Sequence, residues 1–165
     1  MAFMIPNPML NPQQYPDVLY RVHFPEFSST SYDDANGFVC TAPGRINLCD
    51  YGQLAYELEN HLVWNSGEPS HFVSMFGDKK HALAWAKKKF IRDKARVVEI
   101  MEINPFEIKN AYNKFIPILQ LRDVMERYPD LLPRAADLEW TNDEFLALYK
   151  VPAEAILKVH RRSRF

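Results

Sequence analysis

Short β-forming runs, each closed by a Pro or Gly breaker, recur along the chain and constrain its fold more than any other feature. Val18-Leu19-Tyr20-Arg21-Val22-His23-Phe24 stops at Pro25, and His71-Phe72-Val73-Ser74-Met75-Phe76 stops at Gly77. Arg96 to Ile103 ends at Asn104-Pro105, and Glu144 to Tyr149 runs on to Pro152 and then to Ala155–Val159. β-Branched and aromatic side chains suit a pleated, half-buried surface, whereas Pro lacks the N–H that a sheet needs, so each run predicts a short strand. Helical periods lie between them. Asp50 is placed to cap a helix carrying Leu54, Leu58 and Leu62 on one stripe, with His61 near its end. Asp78 is placed to cap a second, with Ala82, Trp85, Ala86 and Phe90 as its buried side. Weaker helical turns are expected around 106–113 and 121–128. Strands and helices in this mixture predict an α+β domain.

The remaining segments are punctuation. Pro6, Pro8, Pro12 and Pro16 crowd residues 1–16, which are expected to form an extended arm. Residues 25–49, rich in Ser, Thr, Asp, Asn, Gly and Pro, are expected to form one long loop, and Asn65-Ser66-Gly67-Glu68-Pro69 a turn. Residues 17–160 then make a single domain, and Arg161-Arg162-Ser163-Arg164-Phe165 a short basic tail. At 165 residues, with 47% hydrophobic and 25% charged side chains, the chain is of a size to build one core. Trp64 and Trp85 are expected in that core.

Charge excludes some classes of function. A net charge of -1 sets up no global field toward nucleic acid or an anionic membrane. No apolar run approaches the roughly 20 residues that span a bilayer, and no basic stretch followed by an apolar one opens the chain, so a cytoplasmic protein without a membrane partner is expected. Cys40 and Cys49 stand nine apart with no zinc spacing around them, which predicts free thiols and no metal, or a small disulfide in an exported chain. The five glycines form no phosphate-binding fingerprint, which sets aside Rossmann and P-loop readings.

Three polar residues stand inside or at the start of these apolar strands: Arg21, Ser74 and Glu144. A charge in such a place calls for an ion pair or a ligand. Their order, Leu19-Tyr20-Arg21, then Phe72-Val73-Ser74, then a strand opened by Glu144, resembles the ADP-ribosyltransferase superfamily of the Arg–Ser–Glu, toxin-like type. A closer resemblance is to a group of fungal domains within or near it, carried by Leu19 to His23, Gly37-Phe38-Val39, His61 with Trp64, Ser70 to Phe76, Asp78 to Ala82, Trp85-Ala86, and Glu144 to Leu146 leading to Val151 to Ile156.

That resemblance implies a split antiparallel sheet with flanking helices and a cleft for NAD, the substrate, whose nicotinamide–ribose bond is cleaved. Glu144 and Ser74 would be catalytic: the carboxylate opposite an oxocarbenium-like centre, the hydroxyl orienting it. Arg21 would clamp the pyrophosphate with its two-pronged guanidinium. Val22, His23, His61, Phe76 and Asn142 would complete the cofactor-binding set. Met75 and Phe76 stand where many members carry further hydroxyl residues, and Asn142 stands where arginine-modifying members carry a second Glu, which implies another acceptor, protein or nucleic acid.

Taken singly, each residue has a plainer reading. Arg21 would pair with a surface carboxylate, Ser74 would bond a neighbouring backbone, Glu144 would be a solvated strand start, and His61 and His23 would be satisfied histidines. Two other functions stay open: a catalytically inactive module that uses the same cleft for binding, and a nucleic-acid contact through Lys87-Lys88-Lys89 and the basic tail.

Overall fold

The computed structural model describes residues 3–28, 30–62, 69–131 and 141–165. Nine strands and three helices are described: β1 (Leu19–His23), β2 (Thr30–Asp33), β3 (Gly37–Cys40), α1 (Tyr51–Leu62), β4 (Phe72–Phe76), α2 (Lys79–Arg92), β5 (Val98–Ile103), β6 (Ile118–Gln120), α3 (Leu121–Arg127), β7 (Glu144–Leu148), β8 (Lys150–Val151) and β9 (Ile156–Arg162). Six strands form one sheet in the order β6-β7-β4-β1-β5-β9, and β2-β3-β8 form a second. Every pairing among the described strands is antiparallel, which makes this the expected α+β class with a divided antiparallel sheet and flanking helices.

The two capping aspartates act as the sequence predicts. Asp50 accepts from the Gln53 N–H through its carboxylate and from the Leu54 N–H through its carbonyl. Asp78 accepts from the Lys80 and His81 N–H groups, two of the donors that open a helix without intrahelical partners. The Leu54, Leu58 and Leu62 stripe of α1 enters the main core together with Phe38, Phe72, Leu146 and Val151. Each such side chain contributes about 1.5–3 kcal/mol when fully buried. A second cluster, Val22, Phe24, Phe76, Ala82, Ala86, Val98 and Ile100, lies beneath α2, with Trp85 and Phe90 partly buried against it. Trp64 and residues 65–68 of the turn expected at 65–69 lie outside the described residues.

Alternation along β1 sends its side chains two ways. Tyr20, Val22 and Phe24 join the cluster under α2, whereas Leu19 joins the main core and Arg21 and His23 share its face. The small sheet covers that face: Phe38 packs against His23 at 5.2 Å between ring centroids and beneath the Arg21 guanidinium at 5.1 Å.

Several expectations are corrected. Residues 25–49 are not one loop, since β2 and β3 form a hairpin inside them. Its turn is built by the Asp33 carboxylate, which accepts from the Ala35 and Asn36 N–H groups, and by Gly37 at φ +74°. The helical turn expected at 106–113 is only a 3-10 turn at Pro105–Glu107. Beyond it the Asn110 side chain accepts from the Tyr112 and Lys114 N–H groups and closes a tight loop, the local bonding that competes with a helix. The strand from Glu144 stops at Leu148, because Tyr149 takes φ +70° where the chain leaves the large sheet for the small one. That uncommon backbone is held from several sides: Tyr149 N–H donates to His71 O, Cys40 N–H donates to Tyr149 O, and the phenol accepts from Ile46 N–H.

In the proline-dense start Pro12–Gln14 form a 3-10 turn, and Ile5, Leu10 and Tyr15 are buried in the main core. At the other end β9 continues through Arg161 and Arg162. No described helix is long and apolar enough to cross a membrane.

Candidate functional site

The large sheet parts between β1 and β4. β1 pairs with β5 over five positions but meets β4 at Tyr20↔Phe76 alone. Arg21 leaves β1 on the face opposite Tyr20, and its guanidinium fills the gap: Nη1 donates to Ser74 O at 3.0 Å and to Ser74 Oγ at 3.1 Å. A side chain thus takes a strand carbonyl that a neighbouring backbone N–H would otherwise bond. Nη2 donates to Thr30 Oγ1 at 3.1 Å, and Thr30 Oγ1 lies 3.0 Å from Ser28 Oγ.

Arg21 is 8% exposed, and its Nε is buried without a hydrogen-bond partner. No carboxylate lies at ion-pair distance from it among the described residues. Burial pushes the guanidinium down from its usual range to about 10, against a smaller upward pull from the charge of Glu144. It remains a cation at neutral pH, desolvated and short of counter-charge. Leaving a buried charge in that condition costs several kcal/mol unless a ligand supplies the missing partner.

Glu144 opens β7 directly across from Phe76, and Ser74 lies across from Leu146. Ser74 and Glu144 are therefore diagonal neighbours on one face, with Cα atoms roughly 7–8 Å apart for such a pair. Glu144 Oε1 lies 2.9 Å from His61 Nε2, and His61 Nδ1 lies 2.8 Å from Ser70 Oγ. The side chains of His61 and Glu144 are each 12% exposed. Asp143, next to Glu144, accepts from the Asp78 N–H through its carboxylate and so ties the start of β7 to the start of α2.

The predicted residues thus divide. Arg21, Ser74, Glu144 and His61 gather around the split. His23 shares the face of Arg21 but is wedged against Tyr32 and Phe38, with its Nδ1 buried and unpartnered. Val22 and Phe76 are not with Arg21, because their side chains belong to the apolar cluster beneath α2. Asn142 is exposed in the turn before β7. The sequence reading missed Thr30, Phe38 and Ser70 as members of the site. The hydroxyl-rich Ser28-Ser29-Thr30 run is the signal in the sequence that points to this corner of the site. In the lysine run, Lys89 is partly buried, with its ammonium 4.9 Å from the Trp85 ring and 5.4 Å from Phe24.

His23 carries a pH prediction. Burial, with a further contribution from the Arg21 charge, lowers its pKa from 6.5 to about 4. The unfolded chain takes up this proton near 6.5 and the folded chain near 4, so the contribution to stability is complete above 6.5 and lost as pH falls toward 4. Between pH 7 and pH 5 the loss is about 2 kcal/mol. Urea midpoints at the two pH values measure it, and His23→Leu is expected to flatten that part of the profile; an equally steep loss in the variant overturns the assignment to His23.

These features define an α+β domain whose antiparallel sheet parts around a buried guanidinium, with a hydroxyl on it and a carboxylate nearby. The chain belongs to the family described as Domain of unknown function (DUF7587), whose model matches residues 14–165. No curated protein matches the sequence. Among solved structures it is similar to a heat-labile enterotoxin mutant, matched with 17% identity and a TM-score of 0.47 over 88% of this chain and 67% of that one. It is also similar to EcPltA, with 14% identity and a TM-score of 0.49 over 90% of this chain and 77% of the other.

Proposed function

We propose that the chain binds NAD at the split beside Arg21 and cleaves the bond between nicotinamide and ribose, passing ADP-ribose to a macromolecular acceptor or to water. It would then act as an ADP-ribosyltransferase or NAD glycohydrolase of the Arg–Ser–Glu kind that its sequence resembles. The observation that carries this reading is Arg21, a cation only 8% exposed with an unpaired Nε and no ion-pair partner among the described residues. A pyrophosphate supplies the charge and the oxygen acceptors that such a group lacks.

The chemistry asks little else of the protein. Nicotinamide departs with the bonding electron pair as a neutral molecule, so no general acid is required, and the positive charge moves onto the ribose. One carboxylate near that carbon stabilises the charge, the role proposed for Glu144. Ser74 Oγ accepts from Arg21 and keeps its own proton to donate, either to a ribose oxygen or to the carboxylate. Asn142 offers an exposed amide that cannot take a proton from an incoming guanidinium, which favours an acceptor other than arginine.

The test is nicotinamide release from NAD by the purified chain, together with a thermal shift. NAD is expected to raise the melting temperature, and Arg21→Lys, which replaces a planar fork by a point charge, is expected to weaken binding by at least about tenfold. If NAD neither shifts melting nor loses nicotinamide, the proposal fails. Labelled NAD incubated with a cell lysate then reports whether protein, nucleic acid or water takes the ADP-ribose. A second reading, an inactive module that binds in the same cleft, draws on Arg21 already spending three hydrogen bonds inside the chain and on Met75 being fully buried. Saturable NAD binding with no release of nicotinamide selects it.

A further inference from the structure

We infer that Ser70 is a positioning residue for Glu144, acting through the tautomer of His61. The consequence for turnover rests on the NAD reading above, whereas the tautomer is a property of the folded chain alone.

Three contacts run in series from the start of β4 to the start of β7. Phe72 N–H donates to Ser70 Oγ at 3.0 Å, Ser70 Oγ lies 2.8 Å from His61 Nδ1, and His61 Nε2 lies 2.9 Å from Glu144 Oε1. The groups at the two ends order the protons between them. An ionised Glu144 only accepts, so Nε2 carries a proton and donates it. Ser70 Oγ already accepts from Phe72 N–H, which leaves its own proton for Nδ1, the acceptor within reach. His61 is thereby held as a neutral ring with the proton on Nε2.

Neutrality matters for the proposed chemistry. An imidazolium in this place would cancel the charge of Glu144, and an oxocarbenium-like centre would then meet no net negative charge. The opposite neutral tautomer would turn a nitrogen lone pair toward the carboxylate and drive it off. The ring has little room to escape, because it stands edge-on to Phe72 at 5.9 Å with an interplanar angle of 89°. Ser70 therefore lets His61 orient Glu144 without neutralising it, a second-nitrogen control of the kind that fixes histidines elsewhere. His61 ends α1, Ser70 precedes β4 and Glu144 opens β7, so the relay also joins three elements at the edge of the split.

Long-range proton–nitrogen NMR spectra of the ¹⁵N-labelled full chain, with His61 assigned through His61→Gln, read the tautomer directly. The wild type is expected to show Nε2 protonated and Nδ1 bare. Ser70→Ala, with Glu144 still holding the Nε2 proton, is expected to shift the Nδ1 resonance away from that of a bare nitrogen accepting a hydrogen bond, and Ser70→Thr, which keeps the hydroxyl, to retain the wild-type pattern. In nicotinamide release, Ser70→Ala is expected to lower kcat at least about tenfold with KM nearly unchanged, and Ser70→Thr to restore it. A wild-type ring protonated on Nδ1, or an unchanged pattern in Ser70→Ala, overturns the inference whatever the activity. Should Ser70→Ala not fold, the wild-type and Ser70→Thr spectra still decide the tautomer. The expected tautomer in a chain that releases no nicotinamide supports the role of Ser70 in holding His61 and overturns the NAD reading alone.

Discussion

Glu144→Gln is expected to lower nicotinamide release by about 10²–10³-fold, the range found when one preorganised charge-stabilising group is removed. The substitution isolates charge from shape. Gln keeps an oxygen at the place of Glu144 Oε1, 2.9 Å from His61 Nε2, so the contact that seats the side chain can persist. Its place across from Phe76 in the β4–β7 ladder depends on backbone bonds that the change does not touch. What disappears is the negative charge that the proposed reading sets opposite the ribose. NAD affinity, measured by the thermal shift, should therefore change only a few-fold while kcat falls. A variant that releases nicotinamide at the wild-type rate removes Glu144 from the mechanism, and one that loses NAD binding and turnover together assigns it to ground-state binding instead.

Gly37→Ala is expected to cost more than about 3 kcal/mol and to disrupt the small sheet. Gly37 stands at φ +74°, and a Cβ there would lie 2.2 Å from Val151 O, 2.6 Å from Ala153 N and 2.7 Å from Pro152 C. All three are backbone atoms. None can swing aside as the end of a flexible side chain would, so β3 and β8 must separate or the turn must change. The left-handed backbone alone accounts for about 1–3 kcal/mol of the cost, and the collision adds the rest. Gly44→Ala is the matched control, since Gly44 has φ +81° with no atom within 4 Å of the added Cβ. It should show only the backbone part. Urea midpoints of the two variants separate the effects, and equal losses would mean that the close approach of β3 to β8 contributes nothing. The site would register the change as well: Phe38, adjacent to Gly37, lies beneath the Arg21 guanidinium.

Legibility in the sequence followed the range of the forces involved. The α1 stripe, the two aspartate caps and β1, β4, β5 and β7 rest on neighbours within a few positions, and all were readable there. The β2–β3 hairpin also had a local mark in Asn36-Gly37, a dipeptide that favours tight turns. Polar composition hid it, because the side chains of this hairpin are divided between solvent and core. The loop after Pro105 misled in the other direction. Its residues accept a helix, but the Asn110 carboxamide bonds two N–H groups that a helix would have used otherwise.

The candidate site shows the same division. That Arg21, Ser74 and Glu144 occupy strands was legible, as was the α1 position of His61. What the sequence alone determined is the set of elements and the polar residues they carry, because caps, periods and breakers act through neighbours in the chain. Which of those residues meet was decided only by tertiary structure. Alternation on β1 and register on β4 send Arg21 and Ser74 to opposite faces, and they touch because the sheet parts after Tyr20↔Phe76. Thr30, Phe38 and Ser70 join them through contacts spanning nine or more residues, set by packing between sheets and helices that no local pattern records.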